Sequence, residues 1–413
     1  MSATAAMIGA GQRAIGGDVH PTYRGIDEAE RERVAGMMML AFGNPQARDY
    51  ASRTAAEEFR VLEVDGEIVS MLRHARLAQW WLGRAVPSSQ VLQFATPPEH
   101  RAKGWGAELL TRLMAELHAG GVPTATLRAS TAAFYRSVGF EFAGDWSAYE
   151  VSCEYLPRKL APWRARQLRL DELAPVFELY ERVAPARHGA FVRDRRWWAK
   201  FTREKWDDPA TCFLLESEDG RPAGWAMVAF APGPATPGAA WRNPIEVLDW
   251  GCLPGAERGL LALMAGWAPM GGYLQWSGPD PDPVLFALGD EHAVMRARYH
   301  WMLRLVDVAA AFAARPYPEG VRGEVAFTVS DPVCPWNRGG WRLVVDGGRA
   351  EVTRAGSAPA ARAEPRGLAA LFTGFADAGL LSAAGLLSGF GQREVDLLRA
   401  AFAGPRPWTS EYY

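Results

Sequence analysis

The sequence predicts an α/β chain in two similar blocks, followed by an α+β tail. Three observations carry that expectation. First, 413 residues exceed one ordinary domain of roughly 100–200 residues. Second, one order of elements (helix, hairpin, strand, loop, helix, strand) occurs twice, and each hairpin turns on an acidic-Gly pair, Asp65-Gly66 and Asp219-Gly220, whose positions tolerate positive φ. Third, the stretch after Met302 reads as a helix, three strands and then helices as far as Pro405.

The elements follow in order. Residues 1–21 are Ala/Gly-rich and lack a basic stretch followed by an apolar core, so they read as a disordered leader and not a signal peptide. The first block covers 22–160. Glu28 to Phe42 has helical apolar spacing, and Phe59–Val64 and Ile68–Leu72 flank the first hairpin turn. Val91–Thr96 is a strand that breaks at Pro97-Pro98. The next helix places Leu109, Leu110, Leu113, Met114 and Leu117 on one face, and Gly120-Gly121 stops it. Thr124–Ala129 is a strand and Thr131–Val138 a short helix. The second block covers 161–301, with a helix capped by Asp171 and strands at Phe213–Leu215, Gly224–Phe230, Glu246–Trp250 and Tyr273–Trp276. The helix Gly255–Trp267 lies between the last two. The third segment, 302–413, opens with a helix at Leu305–Ala313 and has strands at Glu324–Ser330, Trp341–Val345 and Ala350–Thr353.

Composition excludes several classes. Lys plus Arg is 45 and Asp plus Glu is 47, a net charge of −2, which argues against a general nucleic-acid binder. Four cysteines without a C-x-x-C pair leave no zinc or disulfide framework and fit a reducing, cytoplasmic setting. The seven histidines show no ligand spacing, so no metal is expected. Gly367–Phe390 is apolar apart from Asp377, but its glycines break it into two short buried helices and not a membrane span. Seventeen tryptophans hint at aromatic-walled cavities.

The most informative stretch is Arg101-Ala102-Lys103-Gly104-Trp105-Gly106. A strand that breaks at two prolines feeds a glycine-containing loop into a helix. Amides and helix dipole then converge on one anion site. Gly104 and Gly106 allow close backbone approach, and Arg101 and Lys103 suit a pyrophosphate. The loop is neither a Walker A sequence nor the dinucleotide fingerprint. Taken alone it remains open to a purely structural reading.

A second motif follows, Phe134-Tyr135-Arg136-Ser137-Val138-Gly139-Phe140. With Arg-x-x-Gly-x-Gly at 101–106, it resembles the GNAT family of acyl-CoA-dependent N-acetyltransferases. Two such blocks, an α+β tail and an aromatic terminus beside an acid are similar to the Enhanced intracellular survival (Eis) family. The segments Trp301–Leu305 and Leu397–Ala403 add to the likeness. The resemblance implies two tandem GNAT-like domains followed by a sterol-carrier-protein-like α+β domain. It implies acetyl-CoA as donor, a small-molecule amine as acceptor with aminoglycosides foremost, and a homo-oligomer, a hexamer in that family.

Site residues carry over by position. The resemblance makes Tyr135 the proton donor to the leaving thiolate. It makes the carboxylate of Tyr413 the base, threaded back into the first domain. Phe94, Ala95 and Thr96 match the strand that meets the pantetheine arm. Arg101, Ala102, Lys103, Gly104, Trp105, Gly106 and Ala107 match the phosphate loop, and Ser130 and Thr131 a further donor contact. Ala102 departs from the pattern, standing where a basic residue is common. The acid Glu411 lies two residues before Tyr413, with Tyr412 between. In the second block the equivalent loop, Leu253 to Gly259, holds Glu257 and lacks both motifs. A carboxylate repels a pyrophosphate, so one donor site per chain is expected.

A polycationic acceptor wants acids and flat walls. Asp27, Glu28, Glu30, Glu57, Glu58 and Glu411, with Trp80, Trp81 and Trp146, are the candidates. Three other readings stay open at this level. One is transfer to a protein or peptide lysine. Another, from a different class, is a lipid or sterol carrier acting through the third segment. The third is an aminoacyl or fatty-acyl transferase with tandem GNAT folds, whose long-chain donor would need a groove beyond the thioester.

Overall fold

The computed structural model describes residues 20–194, 197–198, 211–230, 243–269 and 271–411. The first block supplies β1 (Thr22–Arg24), β2 (Phe59–Val64), β3 (Glu67–Trp81), β4 (Arg84–Ala95), β5 (Thr124–Arg128) and β6 (Glu141–Ser152). The second supplies β7 (Arg164–Leu168), β8 (Thr211–Glu216), β9 (Pro222–Phe230), β10 (Asn243–Cys252), β11 (Gly271–Gly278) and β12 (Val294–Leu305). Among the described residues these form one sheet, ordered β1-β2-β3-β4-β5-β12-β6-β11-β10-β9-β8-β7.

That order shows what the repeat in sequence conceals. The last strand of the second block, β12, inserts between β5 and β6 and pairs antiparallel with both. In return β6 pairs with β11. The two blocks exchange strands and share one sheet. Trp301 to Leu305, read from sequence as the start of the third segment, are the buried inner end of β12. The helix expected from Leu305 begins at Val308, where the Asp307 side chain accepts from the Ala310 amide.

Local chemistry explains the other elements. Asp65 and Gly66 both have positive φ, 50° and 78°, the turn expected between β2 and β3. The β3–β4 hairpin is longer than its apolar runs suggest. It turns on Leu82 (φ 41°) and Gly83 (φ 80°), a pair without the usual turn signature because leucine disfavours that region. Between β1 and β2 come α1 (Arg31–Phe42) and α2 (Ala47–Arg53). After β4 comes α3 (Trp105–Ala119), whose five predicted apolar residues are all buried. Each stabilises the fold by roughly 1.5–3 kcal/mol relative to exposure. The short α4 (Ala132–Ser137) follows β5, and α5 (Ala174–Val183) belongs to the second block.

Helix α3 covers one face of the central strands, and the third segment covers the other. Trp81, Ala143, Trp301, Leu303 and Leu305 from the large sheet share a core with Phe312, Phe327, Phe372 and Phe402. The third segment carries its own five-stranded sheet, built from Gly323–Val329, Gly339–Asp346, Arg349–Arg354 and two short strands. Its apolar run splits as expected into helices Pro365–Thr373 and Ala378–Ala383, separated at Gly374 (φ 74°). Among the described residues no helix is long and apolar enough to cross a membrane. All four cysteines are free thiols.

Candidate active site

The site is a split in the sheet. Strands β4 and β5 pair in parallel only from Ser88 to Gln90, opposite Thr124 to Thr126. Beyond Gln90 they separate, and the edge of β4 from Val91 to Ala95 turns no ladder toward β5. Gln93 has φ 47°, and the β3–β4 register slips between Met71 and Arg73. Together they mark a bulge that bends β4 away. An open strand edge offers backbone donors and acceptors to an extended ligand. Phe94 and Ala95 lie on that edge. Thr96 closes it, with its hydroxyl 2.9 Å from that of Ser70 and its carbonyl accepting from Arg101 Nε at 3.1 Å.

The split ends at the N-terminus of α3. Gly104 caps the helix at φ 88° with open space around it. Arg101, Ala102, Lys103 and Gly104 are exposed. The amides of Trp105, Gly106 and Ala107 belong to the first turn, which has no intrahelical acceptors. Cationic side chains and helix dipole coincide there. Ala102 holds φ 59°, an uncommon conformation for a residue with a Cβ.

Gly106 has a second role beside the one read in sequence. A Cβ there would lie 2.9 Å from Phe94 Cζ and 3.3 Å from Phe134 Cζ. Its glycine is required by two stacked rings, whose centroids are 5.5 Å apart, and not by backbone approach alone. Trp105 is a core residue beneath the loop. In the second block, the Gly255 amide donates to Glu257 Oε2 at 2.8 Å. The chain's own carboxylate occupies the start of that helix.

Tyr135 stands beside the split. Its ring packs on Phe94, Phe134 and Phe140, at 6.1, 5.1 and 6.1 Å, and the residue is 6% exposed. Burial pushes its hydroxyl pKa well above the usual phenol range, so it holds its proton at neutral pH. Phe94 of β4, Gly106 of α3 and Phe134 and Tyr135 of α4 thus converge. Ser130 and Thr131 are exposed on the link from β5 to α4. Gly139 ends the motif at φ 89°, against the buried Arg304 guanidinium.

Sequence reading missed several charged residues. Glu141 accepts from Arg136 Nε at 2.8 Å and from Arg366 Nε at 2.9 Å, tying α4 to the third segment. Arg128, at the end of β5, lies over the rings of Tyr299 (4.5 Å) and Trp146 (5.4 Å). Arg193 is buried between Asp249 and Glu411. Only Glu141, directly after the aromatic motif, had a local signal.

The expected acidic acceptor wall needs correction. Glu28 pairs with Arg31, Glu30 with Arg24, Glu58 with Arg73 and Glu411 with Arg193. Trp81 is core, packed on His188 and Phe372. Trp80 packs against the buried core of the second block. Trp146 lies 5.6 Å from Tyr299, ring to ring, and beneath the Arg128 guanidinium. Tyr412 and Tyr413 lie outside the described residues. Among the described residues no group of three His, Cys, Asp or Glu converges on a metal-sized space.

Comparison with known proteins adds to this geometry. Residues 22–143 and 189–305 each match an acetyltransferase (GNAT) domain, and residues 308–410 a sterol carrier protein domain. An uncharacterized N-acetyltransferase of Streptomyces avermitilis is 28% identical over 319 residues, 73% of this chain and 76% of that one. A GCN5-related N-acetyltransferase from Kribbella flavida has a similar structure, with a TM-score of 0.82 and 26% identity, covering 96% of this chain and 99% of that one. Eis1 from Mycobacterium abscessus shares the fold at TM-score 0.79 and 23% identity, covering 95% and 100%.

Proposed function

The chain is a GNAT acetyltransferase with an Eis-like three-part architecture, and from that premise we propose that it moves an acetyl group from acetyl-CoA to a primary amine. The observation that supports this reading best is the β4–β5 split, which ends at the exposed cationic start of α3 with Tyr135 alongside. The edge of β4 at Phe94 and Ala95 takes the pantetheine arm. The loop Arg101–Ala107 takes the pyrophosphate, with Ser130 and Thr131 along its flank.

The reaction balances as follows. The amine nitrogen forms a bond to the thioester carbonyl carbon, and the carbon–sulfur bond breaks. The ammonium first gives one proton to the base, which passes it to solvent. After attack the departing sulfur takes the Tyr135 hydroxyl proton, and the second proton lost by the nitrogen restores that hydroxyl. The resemblance assigns that base to the carboxylate of Tyr413. A terminal carboxylate is intrinsically weak, with a reference pKa of roughly 3.3–3.7, so it serves chiefly by holding the ammonium and receiving its proton at contact distance.

Aminoglycosides are the leading acceptors, and the cytoplasm the expected setting, with assembly into a hexamer part of the same proposal. The pairing of four candidate acids with arginines favours a second acceptor reading, a singly charged amine such as a peptide lysine. The carrier reading has less support. The third segment fills its interior with Phe312, Phe372 and Phe402 around the buried Arg315, whose guanidinium donates to the Phe372, Pro316 and Ala401 carbonyls. The deciding experiment measures CoA release with a panel of aminoglycosides and lysine peptides. Wild type, Tyr135→Phe and a chain extended beyond Tyr413 are compared. Amine-dependent release lost in both variants supports the reading, and no release with any amine overturns it.

A further inference from the structure

A chain of main-chain pairings runs in a closed ring through all three parts of the molecule. Strand β3 pairs with β4, β4 with β5, β5 with β12 and β12 with β6. Where β11 stops at Ser147, residues 407–408 take its place beside β6. The Asp145 amide donates to Pro407 O at 2.9 Å, and Trp408 bridges Asp145 in parallel. The Trp408 amide donates to His188 O at 2.9 Å. The stretch 189–192 then returns to β3. Trp80 N–H donates to Ala190 O at 2.8 Å, and Val192 N–H to Ala78 O at 2.8 Å.

The ring has no slack at its last links. A Cβ on Gly144 would lie 2.6 Å from Pro407 O, and one on Gly189 would lie 2.9 Å from Trp301 Cζ2 and 3.1 Å from Trp408 O. Arg406 Nε donates to Asp145 Oδ2 at 2.6 Å. The far end is fastened by charge. Arg193 donates to Glu411 Oε1 from Nε (3.0 Å) and Nη2 (2.9 Å), and to both Asp249 oxygens at 2.9 Å. Trp225 Nε1 holds Asp249 from behind at 2.9 Å. The side chains of Arg193 and Glu411 are 1% and 6% exposed. Loss of Glu411 removes two charge-assisted hydrogen bonds from this buried cluster, while Arg193 keeps Asp249.

We propose that residues 405–411 are the closing strap of this ring and that Arg193, through Glu411, is a positioning residue for acetyl transfer. The inference rests on the acetyl-transfer reading. In a closed sheet, strand spacings are linked, since closure fixes tilt and stagger together. The donor split between β4 and β5 lies across the ring from the strap. Releasing the strap removes the constraint that holds the split at its width.

The test uses the full chain carrying Glu411→Ala or Glu411→Gln. Hydrogen exchange of the Trp408 amide and acetyl-CoA affinity by calorimetry are measured at a temperature well below unfolding. In the alanine variant Trp408 exchanges at least about tenfold faster and acetyl-CoA Kd rises about tenfold, as expected for a lost buried charge contact. Glutamine keeps the shape and an acceptor oxygen, and rescues most of both. A purely structural contact would lower Tm and leave Kd unchanged. Unchanged Trp408 protection overturns the clasp. Lost protection with wild-type Kd and CoA release overturns the positioning role. A wild-type chain that binds no acetyl-CoA overturns the transfer reading together with the positioning role, while Trp408 exchange still decides the clasp.

Discussion

Gly106 and Phe94 are in such close contact that a single methyl on residue 106 would come within 2.9 Å of Phe94 Cζ. Phe94 in turn stacks on Phe134, next to Tyr135. Helix α3, the open edge of β4 and the candidate acid are therefore one packed unit.

Gly106→Ala consequently displaces the rings and narrows the split. The expected effects are overpacking that destabilises by about 1–3 kcal/mol and a weaker donor. Gly104→Ala has room but the wrong backbone, costing about 1–2 kcal/mol. Thermal unfolding and acetyl-CoA titration of the two variants separate packing from backbone strain. Equal donor affinities for Gly106→Ala and wild type would refute the shared unit.

Tyr135→Phe removes a hydroxyl that no described residue hydrogen-bonds, so no buried partner is orphaned. The expected Tm is close to wild type. The rate of CoA release falls roughly 10²–10⁴-fold, the usual worth of a general acid. Single-turnover kinetics beside thermal melts check both halves. A rate within a few fold of wild type would assign the proton to another group.

Glu141 joins Arg136 of α4 to Arg366 of the third segment. Both arginines hold its carboxyl below the usual carboxylate pKa, against the opposing effect of burial. Glu141→Gln leaves two guanidiniums facing a neutral amide and costs about 1–3 kcal/mol. A moderate fall in kcat accompanies it, because α4 carries Tyr135. Chemical denaturation and steady-state kinetics measure the two together. Arg366→Ala should reproduce part of the kcat loss from a residue in another domain.

His188 makes the fold sensitive to acid. Burial, with the charge of Arg315 adding to it, pushes its pKa down to about 4. Its Nε2 accepts from the Leu82 amide at 3.1 Å. As pH falls, the unfolded chain takes up this proton first, near pH 6.5. The stability is therefore complete above about 6.5, declines between 6.5 and 4, and is lost below. The loss reaches up to about 3 kcal/mol at 1.36 kcal/mol per unit. Asp282, raised to about 6 by burial, works in the opposite direction over part of that window. The comparison of His188→Gln with wild type isolates the histidine. Its Tm should vary less between pH 6.5 and 4.5 than that of wild type.

The second block should bind no donor. Glu257 already satisfies the Gly255 amide, and its carboxylate opposes a second anion at that helix start. Calorimetry should give one acetyl-CoA per chain. Arg101→Ala with Lys103→Ala should abolish the heat signal, with no residual second site.

The sequence by itself determined what depends on near neighbours. The apolar face of α3, the Asp65-Gly66 turn, the glycine loop before α3 and the aromatic motif at Tyr135 are all set by residues a few positions apart, where periodicity and φ preference act. The repeat of two blocks and a tail was legible for the same reason. Only the tertiary structure decided where β12 goes, because an inserted strand looks locally like any other. It also decided that Gly106 answers to Phe94 and that most candidate acids face arginines. The pairing of Arg193 with Glu411 spans 218 positions. Arg193 carries no local pattern and the signal at Glu411 does not point to it, since what makes them partners is burial created by the rest of the fold.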